Sequence, residues 1–142
     1  MKKYHFDYDE KNKDLFSKYM VVLNEDTSSI VFDRSFVSEM VYGPILRNNC
    51  KLTLEQYTQL LQEYKKHEAI IVYLTSPKGV LLSRRANDLK DYNMIDKYYE
   101  LLNARYEEIM DYSSVFIDIL TLDSHKMGKE EIQNNTKKLF LK

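Results

Sequence analysis

The chain has no tryptophan, one cysteine, three glycines and two prolines in 142 residues. A lone cysteine, Cys50, excludes an internal disulfide and gives no reason to expect an oxidising compartment. The three histidines, His5, His67 and His125, lie far apart with no ligand spacing around them. With one cysteine they make no case for a structural zinc site or for a histidine-activated nucleophile, so no metal ligand is assigned. No apolar run approaches the length of a membrane span, and Met1 to Asp7 holds no apolar signal core. The expectation is a soluble, cytoplasmic protein with no membrane partner. Excess charge is lacking too: 22 acids face 21 bases, net −1, so no global field draws the chain to nucleic acid. A small anion site needs only local charge and stays open. Scarce glycine and proline suggest a helix-rich chain with short connections, and no repeat, linker or low-complexity tract divides it. The size is that of one domain, residues 1–142.

What is abundant is apolar and aromatic: 44% hydrophobic and 13% aromatic residues, with 12 tyrosines, enough for a real core. Lys3 to Tyr8 alternates as a short strand would, and Asp14 is placed to cap a helix carrying Leu15, Phe16, Tyr19, Met20 and Leu23. Ile30 to Phe32 is a short apolar strand. Ser35 to Leu46 reads as a helix with a possible break at Gly43-Pro44. Thr53-Leu54-Glu55-Gln56 has the form of a capping box for a helix that ends at the basic Lys65-Lys66-His67. Ala69 to Leu74 is apolar throughout, as strands covered on both faces are. A helix starts at Ser76-Pro77, Ser83 to Asn93 is charged and loop-like, and a periodic helix follows through Ile95, Tyr98, Tyr99, Leu102, Tyr106 and Ile109. Val115 to Leu120 reads as a strand, and Lys129 onward as an amphipathic helix offering Ile132, Leu139 and Leu141 for burial. Strands alternating with helices predict an α/β layered domain with a mainly parallel sheet.

The stretch from Ile30 to Gly43 carries the chemistry. Ile30-Val31-Phe32 runs into Asp33-Arg34-Ser35, an acid, a base and a hydroxyl at the carboxyl end of a buried strand, where ligands bind in open α/β sheets. A carboxylate there can act as a base, and a planar guanidinium can hold a phosphate. The plainer reading is a strand-end ion pair. Further on, Ser83-Arg84-Arg85-Ala86-Asn87-Asp88 is either a solvated helix end or a source of cations for a bound anion.

Phe32-Asp33-Arg34-Ser35, with Ser38-Glu39 and Tyr42-Gly43, resembles the DR(S/Y)xxS motif of the thymidylate kinase and deoxynucleoside kinase group of P-loop kinases. The resemblance runs from about Lys2 to the last helix. It implies that Asp33 orients or deprotonates an acceptor nucleoside or nucleotide and that Arg34 holds its phosphate. Arg84 or Arg85 would neutralise the transferring group from a mobile lid. It gives Ser38 and Glu39 a loose part in shaping the pocket. Tyr42 would stack on a base or close over a sugar, and Arg47 would hold the acceptor's phosphate or base, although core and surface roles compete. Arg105 and Tyr106 match the helix after the lid, with packing the favoured role. ATP and magnesium are the implied cofactors, the metal held mainly by nucleotide phosphates.

The sequence departs from that group in one respect. It contains no GxxxxGK(S/T) phosphate loop, and no glycine precedes Gly43. Lys2 to Tyr8 aligns with the group's second strand, so the first strand, loop and helix are expected to be missing as a unit. In a sheet of order 2-3-1-4-5 this removes the central strand. Either Ile30–Phe32 and Ala69–Leu74 then pair directly, or a second copy of the chain (a homo-oligomer) or a complementing N-terminal polypeptide fills the gap. Phosphoryl transfer would then need a loop from another chain. The alternatives are a catalytically dead kinase relative acting as a protein-binding module or inhibitor, and a nucleotide sensor that keeps the acceptor pocket alone.

Overall fold

A computed structural model of the chain describes residues 2–4, 14–25, 30–32 and 35–140. It is α/β, in the order β1 (Lys2–Tyr4), α1 (Leu15–Glu25), β2 (Ile30–Phe32), α2 (Phe36–Tyr42), a π-helical turn (Gly43–Arg47), α3 (Leu54–Lys66), β3 (Ile70–Thr75), α4 (Lys78–Arg84), α5 (Leu89–Ser113), β4 (Asp118–Asp123) and α6 (Lys129–Phe140). Pairing is parallel throughout. β1 pairs with β2 in the register Lys2–Ile30 to Tyr4–Phe32, and β3 with β4 from Ile70–Asp118 to Thr75–Asp123. Among the described residues the strands form two two-stranded sheets, β1-β2 and β3-β4.

The chain forms two compact units, residues 1–69 with 102–117, and residues 70–101 with 118–142. The first holds the core. α1, capped by Asp14, whose Oδ1 accepts from Ser17 N at 3.0 Å, buries Tyr19, Val22 and Leu23. α2 buries Phe36, Val37, Met40 and Val41, and α3 buries Tyr57, Leu60, Leu61 and Tyr64. The expected capping box is made in full: Thr53 Oγ1 accepts from Gln56 N at 3.1 Å, and Gln56 Oε1 accepts from Thr53 N at 3.0 Å. Aromatic rings knit these elements together. Phe36 meets Tyr19 at 5.2 Å, Tyr64 at 5.1 Å and Tyr57 at 5.7 Å between centroids, and Phe32 meets Tyr19 at 5.3 Å and Tyr64 at 5.6 Å.

Two hydroxyl pairs tie α3 to the end of α5, and the donors can be assigned. Ser113 Oγ donates to Ile109 O, so the fully buried Tyr57 Oη is the donor across the 2.5 Å contact with Ser113 Oγ. Thr58 Oγ1 donates to Leu54 O, so Tyr112 Oη is likewise the donor to Thr58 Oγ1.

Two expectations need correction. The stretch Ser83–Asn93 is not a loop: α4 runs to Arg84, and α5 begins at Leu89 because Asp88 caps it, its Oδ1 accepting from Asp91 N at 3.2 Å. The last strand begins at Asp118 rather than Val115, because residues 113–117 close a turn in which Phe116 N and Ile117 N donate to Ser113 O. The break expected at Gly43-Pro44 is there: α2 ends at Tyr42, and a π-helical turn follows over Gly43–Arg47. Pro44 has no N–H to give the Met40 carbonyl four residues back, and Arg105 Nε supplies that bond instead at 3.0 Å. Asn48, at φ 50°, then closes the turn. Of the first strand expected over Lys3–Tyr8, residues beyond Tyr4 lie outside those described, as do Leu141 and the side chain of Leu139.

Burial pushes the Tyr57 phenol up to about 12 from 10.0. Its protonated form is therefore the one the fold favours. That contribution is complete below pH 10 and is lost as pH rises toward 12. The urea midpoint is expected to fall across this window, and Tyr57→Phe should shrink the fall; an unchanged fall would remove Tyr57 as its source.

Candidate functional site

β2 ends at Phe32 and α2 begins at Phe36 after its cap Ser35, so Asp33 and Arg34 occupy the strand-to-helix connection in sequence. Both lie outside the described residues. Their two flanks are fixed. Phe32 and Phe36 are held by the rings of Tyr19 and Tyr64, and Ser35 caps α2 with Oγ accepting from Val37 N at 3.2 Å. Five of the seven α2 residues are buried, which leaves Ser38 and Tyr42, one helical turn apart, as the half-exposed positions. The face that continues from Ser35 is thus Ser38 and then Tyr42. The Tyr42 ring is met edge-on by Tyr106 at 6.0 Å and 84°, which props it upright from α5.

Behind that face stands an ion pair. Glu39, 9% exposed, accepts from Arg47 Nη2 at 2.5 Å and from Lys51 N at 2.8 Å. Arg47, 22% exposed, reaches it because the π-helical turn brings residue 47 back over residue 39. Gly43 makes the fit possible: a Cβ there would lie 2.8 Å from Asn49 O, below any ordinary contact. Arg105 secures the same turn through Met40 O while its Nη1 pairs with Glu108 at 3.2 Å. Cys50 lies against it, its Sγ 3.6 Å from Glu39 O, and burial pushes its thiol up, which keeps it protonated and unreactive.

The two arginines expected in a lid lie in the second unit. Arg84 is anchored: Nη1 donates to Ser124 Oγ at 3.2 Å and Nη2 to Ser124 O at 3.0 Å. Ser124 in turn donates to Thr75 O through N at 2.8 Å and Oγ at 2.9 Å, so Arg84 is fastened across the carboxyl ends of β3 and β4. Beside it, the N–H groups of His125 and Lys126 hold the Asp123 carboxyl below the usual carboxylate range. Arg85 is looser, 53% exposed with its Nε 3.9 Å from Asp91. Sequence reasoning missed Ser124, the Glu39–Arg47 pair and the Arg105 bond. The last had a legible signal, since a proline four residues after Met40 leaves a carbonyl to be satisfied.

The residues do not fit the donor cofactors. No Gly-rich turn followed by Lys-Ser or Lys-Thr exists in the sequence, and the described residues offer no group of three acids, histidines or cysteines able to hold a metal. Nor is any described helix long and apolar enough to cross a membrane.

No protein-family model and no curated protein matches the chain. Among solved structures, the YorR protein of Bacillus subtilis, crystallised in complex with phosphorylated GDP, matches at a TM-score of 0.80 and 21% identity. The match covers 98% of this chain and 80% of YorR. The fold is therefore α/β, with helices around parallel strands, of the kind seen in that nucleotide-bound protein.

Removing Glu39 would take from the Arg47 guanidinium and the Lys51 N–H the carboxylate oxygens they donate to. Glu39→Ala is expected to cost about 2–4 kcal/mol in urea unfolding. Glu39→Ala with Arg47→Ala should cost less than the two changes summed; additivity would show that the pair is not coupled.

Proposed function

We propose that the chain is the acceptor-binding portion of a nucleotide phosphotransferase of the thymidylate kinase and deoxynucleoside kinase type. The observation that carries the reading is the fold match, over 98% of this chain, to YorR, a protein crystallised with phosphorylated GDP. In this reading Arg34 holds the phosphate of an acceptor monophosphate, or Asp33 takes the proton from an acceptor hydroxyl. Ser38 lines the pocket as a hydrogen-bonding group, and Tyr42, propped by Tyr106, offers its ring to a base or sugar. Arg47 contributes as a pocket wall, since its guanidinium already serves Glu39. Arg84, fixed at the strand ends, and Arg85, which is freer, are the cations available to a transferring phosphoryl group.

ATP and magnesium belong to the same proposal but need the absent phosphate loop from another polypeptide. Transfer by these 142 residues alone is not expected. A cytoplasmic location goes with this reading. The second reading is a kinase relative without catalysis that binds a protein; the missing loop and the thinly covered sheet of the second unit favour it.

Isothermal titration separates the two. Binding of a deoxynucleoside or its monophosphate without ATP binding supports the acceptor reading, and silence toward all of them supports the protein-binding one. Arg34→Ala should abolish acceptor binding, a loss of at least tenfold in affinity. Retained affinity would remove Arg34 from the site.

A further inference from the structure

α5 carries an arginine where its pattern calls for an apolar residue. Leu102, Ile109, Met110 and Ser113 are buried and recur at helical spacing, and Arg105 and Tyr106 fall between them on the same face. Leucine at either position would serve for packing. A guanidinium and a phenol stand there instead, and both engage the last turn of α2. Arg105 Nε donates to Met40 O at 3.0 Å, and the Tyr106 ring meets the Tyr42 ring edge-on at 6.0 Å. In a regular helix the Met40 carbonyl takes the N–H of the residue four further on, and that residue is Pro44. The donor comes from 65 residues away along the chain instead. Tyr42 lies between Met40 and Pro44, so it belongs to the turn whose hydrogen bonding α5 has taken over.

We propose that Arg105 is a positioning residue for the Tyr42 ring. Its bond to Met40 O, strengthened by the charge on the guanidinium, fixes the end of α2 against α5. That placement seats Tyr42 edge-on against Tyr106, the neighbour of Arg105 in the chain. Without the bond, the end of α2 shifts on α5 and the Tyr42 side chain divides its time between staggered rotamers. The consequence for a ligand rests on the acceptor reading, in which Tyr42 offers its ring to a base or sugar. A ring that holds the receiving stance for only part of the time weakens binding by that fraction.

The test reads ring-to-ring NOEs by NMR on the whole chain, with dTMP affinity measured by calorimetry on the same samples. Arg105→Met keeps the aliphatic stem and removes the donor. It should lose the Tyr42–Tyr106 NOE, keep the Phe36–Tyr64 NOE, and weaken dTMP binding about threefold or more. Glu108→Gln, which changes the other partner of Arg105, should alter neither NOE. Arg105→Met combined with Pro44→Ala separates positioning from mere satisfaction of a carbonyl, because the new backbone N–H can serve Met40 O from within the helix. The double variant should regain thermal stability but not the Tyr42–Tyr106 NOE. Three results would overturn the proposal. The first is a Tyr42–Tyr106 NOE retained in Arg105→Met. The second is its return together with stability in the double variant, which would make Arg105 a substitute donor only. The third is loss of the Phe36–Tyr64 NOE in Arg105→Met, which would make Arg105 a residue of the core. Failure of the acceptor reading looks different: the NOEs behave as expected, while dTMP fails to bind the unaltered chain or binds Arg105→Met equally well.

Discussion

The aromatic cluster of Tyr19, Phe32, Phe36, Tyr57 and Tyr64 is the constraint on which the first unit depends. Phe32 is the last residue of a strand and Phe36 the first of a helix, and both reach into the same set of rings. Ring pairs of this kind each add about 0.5–1.5 kcal/mol beyond the area they bury. Their greater consequence is positional. In sequence, the residues between Phe32 and Phe36 are Asp33, Arg34 and Ser35. Rings drawn from α1 and α3 thus hold Phe32 and Phe36, the residues on either side of that stretch.

The far end of α2 is fixed by a different force. Pro44 withdraws a donor, Arg105 replaces it, and the resulting π-helical turn carries Arg47 back to Glu39. A carboxylate this buried is tolerated because both of its oxygens are occupied, one by a guanidinium and one by a backbone N–H. The chain therefore uses an arginine and a glutamate as structure beside the face on which Ser38 and Tyr42 stand. Charge near a candidate site is not by itself charge offered to a ligand.

Much of the fold was legible because local signals agreed. The Asp14 cap, the Thr53–Gln56 box and the apolar run of β3 each rest on residues within a few positions of one another, and each element lies where those residues placed it. Errors arose where a neighbour distant in sequence decided the outcome. Nothing local shows that Arg105 would rescue the Met40 carbonyl, or that residues 113–117 would close a turn under Tyr57 before the last strand could begin. Charge density made Ser83–Asn93 resemble a loop, yet one aspartate at position 88 suffices to start a helix through that charge. At the site, Ser38 and Tyr42 were each named through the resemblance, and their standing together as the half-exposed positions of α2 was not foreseen. Arg84 was identified as a cation but not as one fastened to Ser124.

The two units differ in completeness. The first has a closed core and a candidate acceptor face, whereas the second has parallel strands and arginines but little buried surface. For the first we propose that a nucleotide is received by the residues between β2 and α2. Backbone amide chemical-shift mapping during titration with a deoxynucleoside monophosphate addresses it most directly. The account predicts the largest shifts at Arg34, Ser35, Ser38 and Tyr42. Shifts confined to residues 70–101 and 118–140, or none at saturating nucleotide, would contradict it.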